Sequence, residues 1–188
     1  MTHATLEMAE HIARHRLDEG LSASEAHQRA AQELHLQATP ALWPDAVQIA
    51  ACMRSRIALF HPTQNEDLRI LRQLALHWMH RLADFEPHVF GPVWDGTATR
   101  PCPVQIMLCC DDSTAVDIVL MAHQQPYKVR QHVLSWHERH SAWRHPITME
   151  VHVLDRTTQR RQPRLDPQGQ PMRGNTKALT TLLSGVTR

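Results

Sequence analysis

The chain has 188 residues, of which 42% are apolar and 21% charged, with a formal net charge of +1. That composition supports one folded domain, or a core with a helical extension, and gives no case for disorder. The near-zero net charge excludes a global electrostatic attraction to nucleic acid or membrane, although Arg156, Arg160, Arg161, Arg164, Arg173, Lys177 and Arg188 make a local basic tail.

The four cysteines, Cys52, Cys102, Cys109 and Cys110, form no CxxC pair, so neither a disulfide framework nor a zinc knuckle is expected. No apolar run reaches the ~18 residues of a membrane span. Met1–Glu10 lacks the basic start and apolar stretch of a signal peptide, and a reducing cytoplasm is the expected setting.

The first half reads as helices. Leu6, Ala9 and Ala13 recur at helical spacing, and Gly20 is placed to end that helix. Ser22 with Glu25 is a capping box for a second helix, whose Ala23, Ala26, Ala30 and Leu34 make a small-residue face for close packing. Thr39-Pro40 and Trp43-Pro44 punctuate a linker. Asp45 caps a third helix bearing Ile49, Met53, Ile57 and Phe60, and His61-Pro62 ends it. Leu68, Leu71, Ala75, Trp78 and Leu82 form the stripe of a fourth, with Pro87 past its end.

The periodicity then changes. Val89–Trp94, Val104–Cys110 and Ala115–Met121 read as strands, and Ile147, Met149, Val151 and Val153 alternate with polar residues as in a half-buried strand. Gln131–His140 reads as helical or irregular, Arg156–Asn175 as mostly loop, and Thr176–Ser184 as a short helix. The order implies an α+β fold, with N-terminal helices packed on a small mixed sheet. The division expected is a helical region over 1–62, a core over 63–155, and a basic loop with a short helix over 156–188.

The segment Phe90-Gly91-Pro92-Val93-Trp94-Asp95-Gly96-Thr97-Ala98, followed by Cys102–Leu108, resembles the polymerase-β-like nucleotidyltransferase superfamily. That family carries a strand, a G-S-x-x-x-G-T-A-like turn, a second strand opening with S-D-x-D, and a later strand with a third carboxylate. The likeness extends more loosely over about residues 5–155, to a proteobacterial group of nucleotidyltransferase-like proteins. Gly91, Gly96, Thr97 and Ala98 fall in register, and Val116–Leu120 resembles the later strand with Asp117 at its carboxylate.

What the resemblance implies is metal-dependent chemistry, in which Mg²⁺ bridges a triphosphate and the glycine turn admits phosphate to backbone N–H groups. The chain departs from the pattern where that chemistry resides. Pro103 and Gln105 stand at the paired aspartates, and Pro92, which has no N–H, stands at the phosphate-contacting serine. Asp117 alone keeps its type. Asp95, Asp111 and Asp112 read as turn acids.

The resemblance therefore implies a catalytically degenerate protein that acts as a nucleotide- or RNA-binding or regulatory protein, with no metal site, its ligand held around Gly91, Gly96, Thr97, Ala98 and Gln105, and with Asp117 as a vestigial catalytic acid. One alternative is an active, Mg²⁺-dependent nucleotidyltransferase using Asp117 and displaced acids. Another is a structural protein that binds a protein partner, or dimerises, through its alanine-faced helices.

Histidine is abundant, at 15 residues. His77 and His80 lie three apart on the fourth helix, beside its buried stripe. His137, His140 and His145 flank Trp136 and Trp143, a pattern open to metal or base stacking but more ordinary for surface histidines with tryptophans packed on a sheet. The basic loop Arg156–Arg164 reads as a solvated segment, with phosphate contact as the alternative.

Overall fold

A computed structural model describes residues 3–35, 43–99, 102–165 and 169–185. The expected Thr39-Pro40 linker and the terminal Arg188 lie outside the described residues. The chain forms two compact units, Met1–Asn65 with Thr97–Thr99, and Glu66–Gly96 with Arg100–Arg188.

The first unit is built on α1 (His3–Asp18), α2 (Ala23–Glu33) and α3 (Ala46–Phe60). Its boundaries follow from local chemistry. Gly20 takes a positive φ of 68° just past α1, where a side chain would be strained. Ser22 Oγ accepts from Glu25 N while the Glu25 carboxylate accepts from Ser22 N, and Asp45 and Gln48 repeat this box at α3. Met8, Ala9, Ile12, Ala13 and Leu17 of α1 form one core with Ala26 and Ala30 of α2 and Ile49, Met53 and Ile57 of α3. Of the small-residue face of α2, Ala26 and Ala30 are thus consumed inside this unit, while Ala23 is exposed. Arg56 of α3 clamps Asp18 of α1, its Nε donating to Oδ1 at 3.2 Å.

The second unit is α+β. Its helix α4 (Gln64–Arg81, shared at its first two residues with the first unit) is followed by a 3-10 turn, Ala83–Phe85, and by β1 (His88–Phe90) and α5 (Pro92–Asp95). The remaining elements are β2 (Val104–Cys109), α6 (Ser113–Ala122), β3 (Lys128–Arg130), β4 (Val133–Glu138), β5 (Ile147–Leu154), α7 (Arg156–Arg161), β6 (Arg173–Asn175) and α8 (Thr176–Leu183). The six strands form one mixed sheet in the order β3-β4-β5-β2-β1-β6. Only β2 and β5 are parallel; the other neighbours are antiparallel.

Period-two alternation divides the sheet into two faces. Val104, Ile106 and Leu108 of β2, Ile147, Met149 and Val151 of β5, Leu134 and Trp136 of β4, and Val89 of β1 are buried. Trp78 of α4 packs on this face, its ring 4.7 Å from that of Trp136, and both indoles donate to Glu138 Oε1 at 2.9 Å. One carboxylate thereby satisfies two buried N–H groups, which would otherwise be costly to desolvate.

Several sequence expectations need correction. Ala115–Met121 lies within helix α6, not a strand: Asp112 accepts from Thr114 N and caps it, and Val116 and Leu120, four apart, are its buried positions. Gln131–His140 contains strand β4 instead of a helix, with Leu134 and Trp136 buried on alternate residues. The run from Val89 to Trp94 is strand only to Phe90, because Gly91 at φ 67° turns the chain into α5. The basic loop contains α7, capped by Asp155, and strand β6. Among the described residues, no helix is long and apolar enough to cross a membrane.

Candidate functional site

The second face of the sheet is polar and half-open. Register places Gln105 of β2 between Phe90 of β1 and Glu150 of β5, and Met107 between His88 and His152. Beyond β1, Phe90 pairs with Arg173 and His88 with Asn175 of β6. One surface therefore gathers an amide, a carboxylate, two imidazoles, a phenyl ring and a guanidinium from four strands.

Gly91 and Gln105 meet here. With φ 67° and ψ −154°, Gly91 occupies a region that essentially only glycine visits. A Cβ at this position would lie 2.5 Å from Gln105 Oε1. The Gln105 amide donates to Glu150 Oε2 at 3.0 Å. His152 Nε2 lies 3.9 Å from that same oxygen, too long for a hydrogen bond but close enough for electrostatic attraction. The contact with His152, reinforced by Gln105, holds the Glu150 carboxyl below its usual range. Among the described residues, His152 Nε2 is buried and has no hydrogen-bond partner, while its ring meets Phe90 edge-on at 5.1 Å.

Arg173 reaches over β1 onto this face. Among the described residues its one hydrogen bond goes to Met107 Sδ at 3.1 Å, a weak thioether acceptor. Burial, with the charge of Arg164 behind it, pushes the guanidinium below its ordinary pKa. Among the described residues, the face thus presents a partly desolvated cation with no carboxylate paired to it.

The other expected residues are placed elsewhere. Gly96 ends α5 with φ 85°, beside Arg72, whose guanidinium donates to the carbonyls of Val93 and Trp94 at 3.0 and 3.1 Å. Thr97 and Ala98 are buried and belong to the first unit, where Ala98 O accepts from Gln64 Nε2 at 3.0 Å. Asp117 is on α6 and does not join Gln105: it accepts a 2.6 Å hydrogen bond from Tyr127 and lines a cleft of about 560 Å³ with Cys110, Asp111, His132 and Asp155. The acid beside Gln105, on the parallel neighbouring strand, is Glu150. Asp111 accepts from Arg156 N at 3.1 Å and Asp112 caps α6, so both have local structural partners. Asp95 closes α5 as an exposed residue.

Glu150 and His152 had a sequence signal in their alternation with Met149 and Val151, which puts them on the face opposite the core. Arg173 had none, because strand pairing between distant segments brings it in.

His77 and His80 are exposed on α4. His137 approaches Thr148 Oγ1 at 3.4 Å, His140 Nδ1 accepts from Ala142 N at 3.2 Å, and Trp136 is buried against Trp78, so these residues form no shared cluster. In the first unit, Glu33 Oε2 accepts from Arg14 at 2.6 Å and lies 3.0 Å from His11 Nδ1 and 3.1 Å from His15 Nε2. Those contacts, His11 first, hold the Glu33 carboxyl down at about 2.

The donor set on the sheet does not fit the magnesium implied by the family resemblance. Mg²⁺ prefers oxygen ligands in near-octahedral geometry. Here Pro103 offers no side-chain ligand, Gln105 directs its NH₂ at Glu150, and the single carboxylate is engaged by Gln105 and His152. Comparisons with family models, with curated proteins and with solved structures return no match for this chain.

Proposed function

We propose that the chain is a catalytically degenerate protein of polymerase-β-like nucleotidyltransferase ancestry, which binds a nucleotide without metal at the open sheet face between Gly91 and Arg173. Arg173 carries the reading. A guanidinium partly withdrawn from water gains little from a thioether, whereas a phosphate accepts from it in bidentate, charge-assisted fashion. In this reading the guanidinium supplies the positive charge that metal supplies in the family.

The neighbouring groups suit the rest of such a ligand. His152 Nε2 adds an unsatisfied polar atom. Gln105 is neutral where a carboxylate would repel phosphate, and Phe90 offers an aromatic surface for a base. The order of elements supports the ancestry: strand, glycine turn, antiparallel strand, helix, and later a strand beside the second with an acid opposite Gln105. Glu150 takes the third carboxylate's place in this reading, and Asp117 has no part in the site. RNA backbone offers the same phosphate chemistry, and the RNA arm of the test below separates the two.

A thermal-shift panel tests the reading, using NTPs, NDPs and short RNA, each with and without Mg²⁺ or Mn²⁺. The expected result is a rise in Tm with nucleotide that needs no metal and disappears in Arg173→Gln. Stabilisation that requires metal, or turnover lost in Asp117→Ala, would instead establish an active transferase. No response to any nucleotide would favour a structural interaction protein.

A further inference from the structure

A second site is built in the first unit, independently of the sheet face. His11, Arg14 and His15 lie on successive turns of α1, and Glu33 is the last residue of α2. His15 is fully buried. Its Nδ1 lies 2.6 Å from Glu19 Oε1, a contact that holds a proton on Nδ1 toward that carboxylate. In the neutral ring Nε2 is then a lone pair, and it faces Glu33 Oε2 at 3.1 Å. His11 Nδ1 faces the same oxygen at 3.0 Å. The His15 lone pair and the Glu33 carboxylate oxygen repel unless a cation or a proton lies between them, and the Arg14 guanidinium, 2.6 Å from Glu33 Oε2 and 3.5 Å from His15 Nε2, marks this as a place where positive charge is held.

The spacing is one that a metal ion can also occupy. An ion bonded to nitrogen and oxygen at about 2.0–2.1 Å in a tetrahedron separates its ligands by roughly 3.3 Å. The two edges to Glu33 are 3.0 and 3.1 Å, and the ligand atoms of His11, His15 and Glu33 all lie within 4.8 Å of one another. Among the described residues this is the one grouping of three such ligands that meets that distance. Helical spacing of four puts both imidazoles on one side of α1. Glu19 supplies the outer carboxylate that commonly fixes the tautomer of a ligating histidine. Two imidazoles and one carboxylate, with no thiolate, suit zinc and its neighbours better than magnesium or calcium.

The geometry points to a divalent transition-metal site of the zinc class formed by His11, His15 and Glu33, with Glu19 positioning His15. Arg14, 40% exposed and 2.6 Å from Glu33 Oε2, is the cation that pairs with this carboxylate when metal is absent and swings into solvent when metal binds. No tail or second chain is required, since every ligand comes from one helical unit.

Titration of the full chain with Zn²⁺ by calorimetry, repeated with Co²⁺ by visible absorption, tests the assignment. One equivalent should bind saturably, and Co²⁺ should give the intense d–d absorption of a four-coordinate site without a thiolate charge-transfer band. His11→Ala and Glu33→Gln should each weaken binding at least about tenfold, and Glu19→Gln about tenfold. Arg14→Gln should bind at least as tightly as the wild type. His11→Ala alters the half-exposed ligand and spares the buried His15, and circular dichroism verifies that each variant is folded. The assignment is overturned by the absence of a saturable site in the wild type. It is equally overturned by wild-type affinity in both His11→Ala and Glu33→Gln, by a thiolate band, or by loss of binding in Arg14→Gln. Any of these leaves a protonated cluster paired with Arg14, or an ion held elsewhere.

Discussion

Replacing Gly91 with alanine tests the turn on which the sheet face depends. At φ 67° and ψ −154° a side chain is strained whatever space surrounds it, at a cost of about 1–3 kcal/mol. The new methyl also meets Gln105 Oε1 at 2.5 Å, so the amide has to move. Moving it stretches the 3.0 Å hydrogen bond to Glu150. A hydrogen bond to a charged group contributes about 1.5–3 kcal/mol, and the half-exposed position of both side chains favours the low end. Gly91→Ala should therefore destabilise the second unit by about 3 kcal/mol. Urea unfolding followed by tryptophan fluorescence reports that unit, because four of the five tryptophans, Trp78, Trp94, Trp136 and Trp143, belong to it. In a double-mutant cycle with Gln105→Ala the clash vanishes and the strain remains, which gives a coupling of about 1–2 kcal/mol. A loss below about 0.5 kcal/mol, ordinary for a surface substitution, would refute both the backbone assignment and the contact.

Other outcomes follow from packing and charge. Gly174→Ala would put a Cβ 2.0 Å from Trp94 Cζ3, forcing the ring away and breaking its 2.6 Å hydrogen bond to Pro171 O; denaturation should show a loss of about 1–3 kcal/mol and an altered tryptophan spectrum. Trp78→Ala empties the centre of the buried face and should cost about 3–5 kcal/mol, measured by the same unfolding experiment. The Asp18 carboxyl is held below its unfolded value of 3.8, first by its hydrogen bond from Arg56. Because the folded pKa is the lower one, the contribution is complete above pH 3.8 and is lost as pH falls below that value. Wild type and Asp18→Asn should accordingly differ in urea midpoint near neutrality and converge in acid; a constant difference would contradict the pairing.

How much was legible in the sequence depended on whether local chemistry or distant pairing decided each element. The capping box at Ser22, the cap at Asp45, the stripe from Leu68 to Leu82 and the alternation from Ile147 to Val153 are local signals, and helices and strand stand where they point. The apolar run Ala115–Met121 was ambiguous, because β-branched Val116, Ile118 and Val119 favour a strand while the Asp112 cap and the four-residue spacing of Val116 and Leu120 favour a helix. Strand β4 was obscured by its serine and histidine, although Leu134 and Trp136 alternate correctly. Three-residue β6 is defined by pairing with β1 and has no periodicity to read. The candidate site divides the same way. Gly91 and Gln105 were legible from one short motif, whereas Glu150, His152 and Arg173 join them only through strand register.

The most direct test is an equilibrium titration of ATP into wild type, Arg173→Gln and Gln105→Ala, in EDTA and again in Mg²⁺, with nucleotide turnover followed in the same samples. Metal-free binding predicts equal wild-type affinity in both buffers, a loss of at least about tenfold in Arg173→Gln, weaker binding in Gln105→Ala, and no turnover. Binding that appears only with Mg²⁺, or is unchanged in Arg173→Gln, would contradict it.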